Sequence, residues 1–373
     1  MNSRSLAVFF LLILIFGDNL ISGADVKIKM VEELALPSGS MHPQEVWDFC
    51  VTEDQLVVIP DKIAGNIKIY ENRGRGTSLD LIKTIGTKGY GKDGLIKPSI
   101  CFYNKNEDKL GILDLGIRKI FLYNRVGRVD FKREEIEIPC RGGAYDIQLK
   151  DRTLYIAGYK VDTSNKNEVS YSFYAIDLTT PAKPKFLLPS KDFYHFDDSA
   201  SFGEQFNHKN VESIGIMGSF DIQNNSAYVV WQGDLNILRV NIDSGALGQS
   251  FGKQTINYTL PFASQKVVDA YYGSPDGRIP SEKEKMSVVK NVFVASRFLL
   301  VVYEGPIKMD GKNIWLQIYD GAGKFRGETS VLGRPGNNKY YFDKNSEFLY
   351  ILSNSKKEGK NEYVLFKYDL SGN

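Results

Sequence analysis

Residues 47–75 read WDFCVTEDQLVVIPDKIAGNIKIYENRGR, and the same design returns at 98–128 as PSICFYNKNEDKLGILDLGIRKIFLYNRVGR and at 219–247 as SFDIQNNSAYVVWQGDLNILRVNIDSGAL. Each copy opens with a short apolar strand led by a polar residue. A turn, a second β-rich strand and a third strand ending near Asn, Asp or Gly follow. Six such units are marked by their second-strand cores: QLVVIP (55–60), KLGILD (109–114), TLYIAG (153–158), AYVVWQ (227–232), FLLVVY (298–303) and FLYILS (348–353). Strand-built repeats of roughly 40–50 residues are the mark of propeller blades. The near-continuous apolar second strands suit strands covered on both faces, as between stacked blades.

The expected fold is therefore all-β: a six-bladed β-propeller of four-stranded antiparallel blades over residues 25–373. The strand-like VKIKMVEELAL (26–36) has no partner in its own repeat, and the last unit (338–370) holds only three strand-like runs. The N-terminal strand is expected to supply the missing one and close the ring. Closure removes the open sheet edges that invite aggregation.

With 47 basic and 45 acidic residues, the net charge of +2 gives no whole-chain pull toward nucleic acid or an anionic membrane. No basic run with interleaved aromatics stands out, so nucleic acid is not expected as a partner. Arg4 precedes an apolar run from Leu6 to Phe16, and Ser22-Gly23-Ala24 follows. That is the layout of a signal peptide over residues 1–24. The run falls short of the roughly 20 residues a membrane span needs. The expectation is a secreted or periplasmic monomer, with no membrane span after signal cleavage. Of the three cysteines, Cys50 and Cys101 fall at the same place in consecutive repeats, and Cys140 stands apart. Two readings are open: buried small apolar side chains, or one disulfide within the first two blades.

Residues 86–129, GTKGYGKDGLIKPSICFYNKNEDKLGILDLGIRKIFLYNRVGRV, carry a family resemblance. Gly89, Gly91 and Gly94 form a Gly-rich turn, Pro98 starts the inner strand, and Asp114, Gly116, Arg118, Ile120, Tyr123 and Gly127 complete the pattern. This resembles the repeat of the NHL-type and TolB-like bacterial six-bladed propellers. The resemblance implies an exported six-bladed propeller and carries no catalytic residues across.

Aligned on their second strands, the repeats bring Asp48, Ser99, Asp146, Asp221, Asn291 and Tyr341 to one position near the start of the first strand. First strands line the channel of a propeller. Facing it, Asp48, Asp146, Asp221 and Asn291 would converge as a ligand or metal site, and calcium takes such an oxygen cage. Six-bladed calcium-dependent lactonases and esterases use a comparable ring. The other reading is structural: an Asp at a strand start caps a turn or accepts a neighbouring backbone N–H, once per blade.

The longest links, 191–215 and 264–287, join the third to the fourth and the fourth to the fifth unit. They would rise side by side where the first strands begin, and loops on a rigid scaffold carry binding. The first holds His195 and His208 among carboxylates and aromatics. It reads as a lid with a general base, as a rim for sugar or peptide, or as a solvated loop. The His spacing fits no zinc motif, and no G-x-S-x-G or Cys-x-x-Cys occurs. The leading expectation is a binding module that offers its loop-rich face to a protein, peptide or glycan. The alternative is a lactonase- or esterase-like hydrolase, with calcium on Asp48, Asp146, Asp221 and Asn291 and His195 or His208 as base.

Overall fold

In a computed structural model of the chain, the described residues are 26–37, 46–74, 76–140, 143–161, 170–193, 218–259, 287–306, 312–332, 338–357 and 360–373. Strand β1 (Lys29–Ala35) comes first. Blade 1 is β2 (Cys50–Val51), β3 (Val57–Asp61), β4 (Asn66–Glu71) and β5 (Asp80–Ile85). A small parallel pair, β6 (Thr87–Lys88) and β7 (Gly94–Leu95), folds the Gly-rich turn. Blade 2 is β8 (Pro98–Asn104), β9 (Lys109–Asp114), β10 (Lys119–Arg125) and β11 (Phe131–Pro139). Blade 3 is β12 (Gly143–Lys150), β13 (Thr153–Val161), β14 (Ser170–Asp177) and β15 (Lys185–Pro189), followed by one helical turn, α1 (Ser190–Phe193).

Blade 4 is β16 (Gly218–Gln223), β17 (Ser226–Trp231) and β18 (Leu238–Asn241). Its fourth place is taken by residues 247–251, which meet the β18 region at the Ile237–Phe251 and Val240–Leu247 bridges and through the Gly248 N–H, which donates to the Arg239 carbonyl at 2.7 Å. Blade 5 is β19 (Val288–Val294), β20 (Phe298–Glu304), β21 (Lys312–Asp320) and β22 (Phe325–Leu332). Blade 6 is β23 (Lys339–Asp343), β24 (Phe348–Lys357) and β25 (Lys360–Asp369), with β1 as its outermost strand. The N-terminal strand closes the ring, as its missing partner predicted. Lys29 pairs with Asp369, Ala35 pairs with Val364, and the Lys27 N–H donates to Asn373 Oδ1 at 2.8 Å.

The core is distributed as six apolar layers, one between each pair of consecutive blades. Side chains of a strand alternate between faces, so a strand between two layers must be apolar at nearly every position. In β3, Val57 and Ile59 enter the layer shared with blade 6, while Val58 enters the layer shared with blade 2. In β17, Ala227, Val229 and Trp231 face blade 3, and Tyr228 and Val230 face blade 5. Gly111 in β9 lets the Phe102 ring lie flat on its backbone: a Cβ there would stand 1.9 Å from a ring carbon.

Candidate functional site

The inner strands β2, β8, β12, β16, β19 and β23 surround the axis, and polar side chains tie the first five of them in turn. Asp146 Oδ2 accepts from Ser219 Oγ at 2.8 Å and from the Phe220 N–H at 3.1 Å. Asn291 Nδ2 donates to the same Ser219 Oγ at 3.2 Å, so blades 3, 4 and 5 share one row of hydrogen bonds. Asp48 Oδ2 accepts the Cys101 N–H at 3.1 Å, joining blade 1 to blade 2. Asp221 Oδ2 accepts the Val294 N–H at 2.7 Å, and its Oδ1 accepts its neighbour Ile222 N–H at 2.8 Å. Gln148 and Gln223 reinforce the pattern by donating to the Phe220 and Ala295 carbonyls at 2.8 and 3.1 Å. Of the other aligned positions, Ser99 turns its hydroxyl back to the Lys97 carbonyl at 2.8 Å. Tyr341 packs its ring against Phe49 and Tyr350.

The register is finer than the motif. Asp146 lies four residues before its hairpin end, Lys150, whereas Asp221 lies two before Gln223. The residue level with Asp146 in blade 4 is Ser219. The look-alike tetrapeptides YDIQ and FDIQ sit one pleat repeat apart, on the same face. Asp146 and Asn291 are thus brought together through Ser219, and Asp221 lies nearer the hairpin end of the axis.

Charges gather where the inner strands begin. The Asp48 carboxyl is pushed up to about 7, chiefly by burial and then by the Asp146 carboxylate; the Cys101 N–H and the Lys339 ammonium oppose this. Asp146 is pushed up to about 6 by burial, against the Ser219 hydroxyl and the Phe220 N–H, with Asp221 adding to the rise. Burial pulls the Lys339 ammonium below its usual value, and Lys290 adds to this while Asp48 and Glu304 resist. Asp48 of blade 1 thus feels both Asp146 of blade 3 and Lys339 of blade 6. Lys290 pairs with Glu304 at 3.5 Å, and Glu304 Oε1 also accepts from Asn338 Nδ2 at 3.1 Å and the Tyr340 hydroxyl at 2.6 Å.

Two lysines bridge blades at the hairpin end of the inner strands. Lys344 of blade 6 reaches Asp221 of blade 4 and the Ile222 carbonyl, the latter at 3.2 Å. Lys105 of blade 2 reaches Asp343 of blade 6. Sequence reasoning passed over both, although they hold the same place in like turns, NKNED and DKNSE. It also passed over Ser219 and Lys339, which match no acidic motif. His195 and His208 lie outside the described residues, as do most of the two long links, 194–217 and 260–286. Among the described residues no three His, Cys, Asp or Glu side chains stand together as metal ligands would. What the arrangement offers chemically is a mixed-charge mouth, with carboxylates, ammonium groups, a hydroxyl and an amide around one axis.

No family model and no curated protein matches the sequence. Among solved structures, the chain is similar to a DUF4221 family member from Bacteroides vulgatus, at 12% identity and a TM-score of 0.57 over 92% of this chain and 99% of that one. It is also similar to a Bacteroides fragilis protein described as exported, at 14% identity and a TM-score of 0.56 over 93% of this chain and 96% of that one. Identity this low speaks for a shared fold: the six-bladed ring.

Proposed function

We propose that this chain is an exported binding module that receives a protein, peptide or glycan ligand at the end of the ring where the inner strands begin. The observation that carries the reading is the mixed-charge mouth of Asp48, Asp146, Lys339 and the Lys290–Glu304 pair, with Ser219 and Asn291 between them. These charges are half-buried; withdrawing charge of both signs from water carries a cost that a ligand's own groups can offset, and polar groups converging in a concave site are what fixes a ligand's orientation. By connectivity, the two longest inter-blade links lead into Gly218 and Val288 at this end. Export is supported by the leader-like residues 1–24 and by the exported description of the Bacteroides fragilis fold neighbour. Kinship with the NHL or TolB-like propellers rests on residues 86–129 alone.

The test is capture from peptide and glycan arrays by the purified chain, in parallel with Asp48→Asn and Lys339→Met. A ligand whose binding falls at least tenfold in both variants supports the mouth as the site. Binding untouched by either moves the site elsewhere. Thermal melts with EDTA and with millimolar calcium separate this reading from a calcium hydrolase, because a ligand bound only by the folded state raises Tm by mass action. A binding module keeps its Tm in both. A calcium-dependent rise that disappears in Asp221→Asn overturns it in favour of a metal site.

A further inference from the structure

The three cysteines are buried thiols, and the ring sorts them. Cys50 in β2 and Cys101 in β8 enter the same apolar layer, between blades 1 and 2. The Cys101 thiol donates to the Val58 carbonyl at 3.6 Å, and Val58 is the residue paired with Cys50 across the β2–β3 ladder. Burial, and then Cys50 beside it, pushes the Cys101 thiol well above its usual value. The backbones are fixed beside one another too, since the Cys101 N–H is held by Asp48, two residues before Cys50. Cys140 lies one layer further round, between blades 2 and 3, with its sulfur 3.8 Å from the Tyr174 hydroxyl.

We propose that Cys50 and Cys101 are a disulfide pair that joins the inner strands of blades 1 and 2, and that Cys140 is the thiol left over. The Cys101 sulfur lies against the carbonyl of the residue paired with Cys50, inside one apolar layer, so side-chain rotation is the movement that brings the two sulfurs to the ~2.05 Å bond. The oxidant is a disulfide, either a small-molecule one such as oxidised glutathione or that of an exported thiol oxidase. One protein thiolate attacks it to form a mixed disulfide and releases one oxidant thiol. The second protein thiolate then displaces the other oxidant thiol. One protein S–S bond forms, the oxidant S–S bond breaks, and two electrons and two protons pass from the cysteines to the oxidant. Cys50 and Cys101 are 1% and 5% exposed in the closed ring, so exchange belongs to folding, before blades 1 and 2 pack together.

The experiment is thiol counting in denaturant after the purified chain is refolded in a reduced/oxidised glutathione couple, with peptide mapping under non-reducing conditions. It needs neither export nor a ligand, so it stands apart from the binding reading. The expected result is one free thiol, a mass two hydrogens lower, and a single crosslinked peptide containing Cys50 and Cys101. Cys140→Ala retains the crosslink with no free thiol, and the Tm drops by several degrees on reduction. Three free thiols after refolding, or a bond that includes Cys140, overturns the proposal.

Discussion

Lys344, in the turn after β23 of blade 6, reaches the carboxylate of Asp221 in blade 4, so one ion pair spans the axis past the whole width of blade 5. Asp221 is 1% exposed and has two backbone N–H groups as its other partners. Asp221 is buried but the Lys344 side chain is 41% exposed, so solvent screens the pair. Lys344→Met is expected to lower stability by about 1 kcal/mol. The double variant Asp221→Asn with Lys344→Met should lose less than the two singles together. Chemical denaturation of all four proteins checks this. Additive losses would show that the two groups do not interact.

Stability should fall as pH rises from about 4 to about 8. Asp48 moves from 3.8 up to about 7 on folding and Asp146 up to about 6, so the folded state holds more protons than the unfolded one across this range. The stabilisation these two carboxyls give is fully present below the unfolded value and is lost as pH passes through the folded values. Asp177, Asp320 and Asp369 shift the opposite way, and their effect lies below the ordinary carboxylate value. Asp48→Asn should flatten the upper part of the profile and raise Tm at pH 8, a gain on the order of 2 kcal/mol. A pH-scanned melt that is unchanged in the variant would show that Asp48 is already ionised at neutral pH.

Glu328 in β22 is surrounded by donors. Its carboxylate accepts from Thr255 Oγ1 at 2.9 Å, Asn257 Nδ2 at 2.7 Å, the Tyr303 hydroxyl at 2.7 Å and Gln317 Nε2 at 2.7 Å. These bonds fasten residues 255–257 of the chain leaving blade 4 onto blade 5. Glu328→Gln turns one acceptor oxygen into a donor that faces other donors, which should cost about 2 kcal/mol. Hydrogen exchange at residues 251–259 should quicken in the same variant. An unchanged exchange pattern would mean that apolar packing, not Glu328, holds that segment.

Gly111→Ala should destabilise by about 1–3 kcal/mol, the usual cost of overpacking. The added methyl would meet the Phe102 ring, which shares its apolar layer with Ile147 and Leu154. Combining it with Phe102→Leu should recover part of the loss. Equal losses with and without Phe102→Leu would place the strain elsewhere.

The ring and its closure were legible because they follow from period-two burial and from counting strands. Both faces of β3 and β17 are covered, which writes itself into the chain as unbroken apolar runs, and 26–36 visibly lacked a partner. The mouth was legible only in part. Alignment on the second strands set Asp48, Asp146, Asp221 and Asn291 level, whereas Asp221 lies two residues nearer its hairpin end than Asp146 does. Register is decided by hairpin length, and β12 and β16 place the tetrapeptides YDIQ and FDIQ at different distances from their turns. Lys105, Lys344 and Lys339 went unseen because their partners lie on other blades, and pairing across an axis leaves no local spacing to read.

The joining of β1 to β25 sets a timetable for biogenesis. Lys27 and Asn373, which bond to each other, are separated by 346 positions. During synthesis or translocation β1 must therefore remain without its neighbour until Lys360–Asp369 have emerged. A ribosome stalled anywhere before residue 360 would release a product whose first strand has no β25 to pair with. Such a product would be an open arc with exposed edges, readily recognised by chaperones and proteases. Completing the ring thus waits on β25, however early β1 is made.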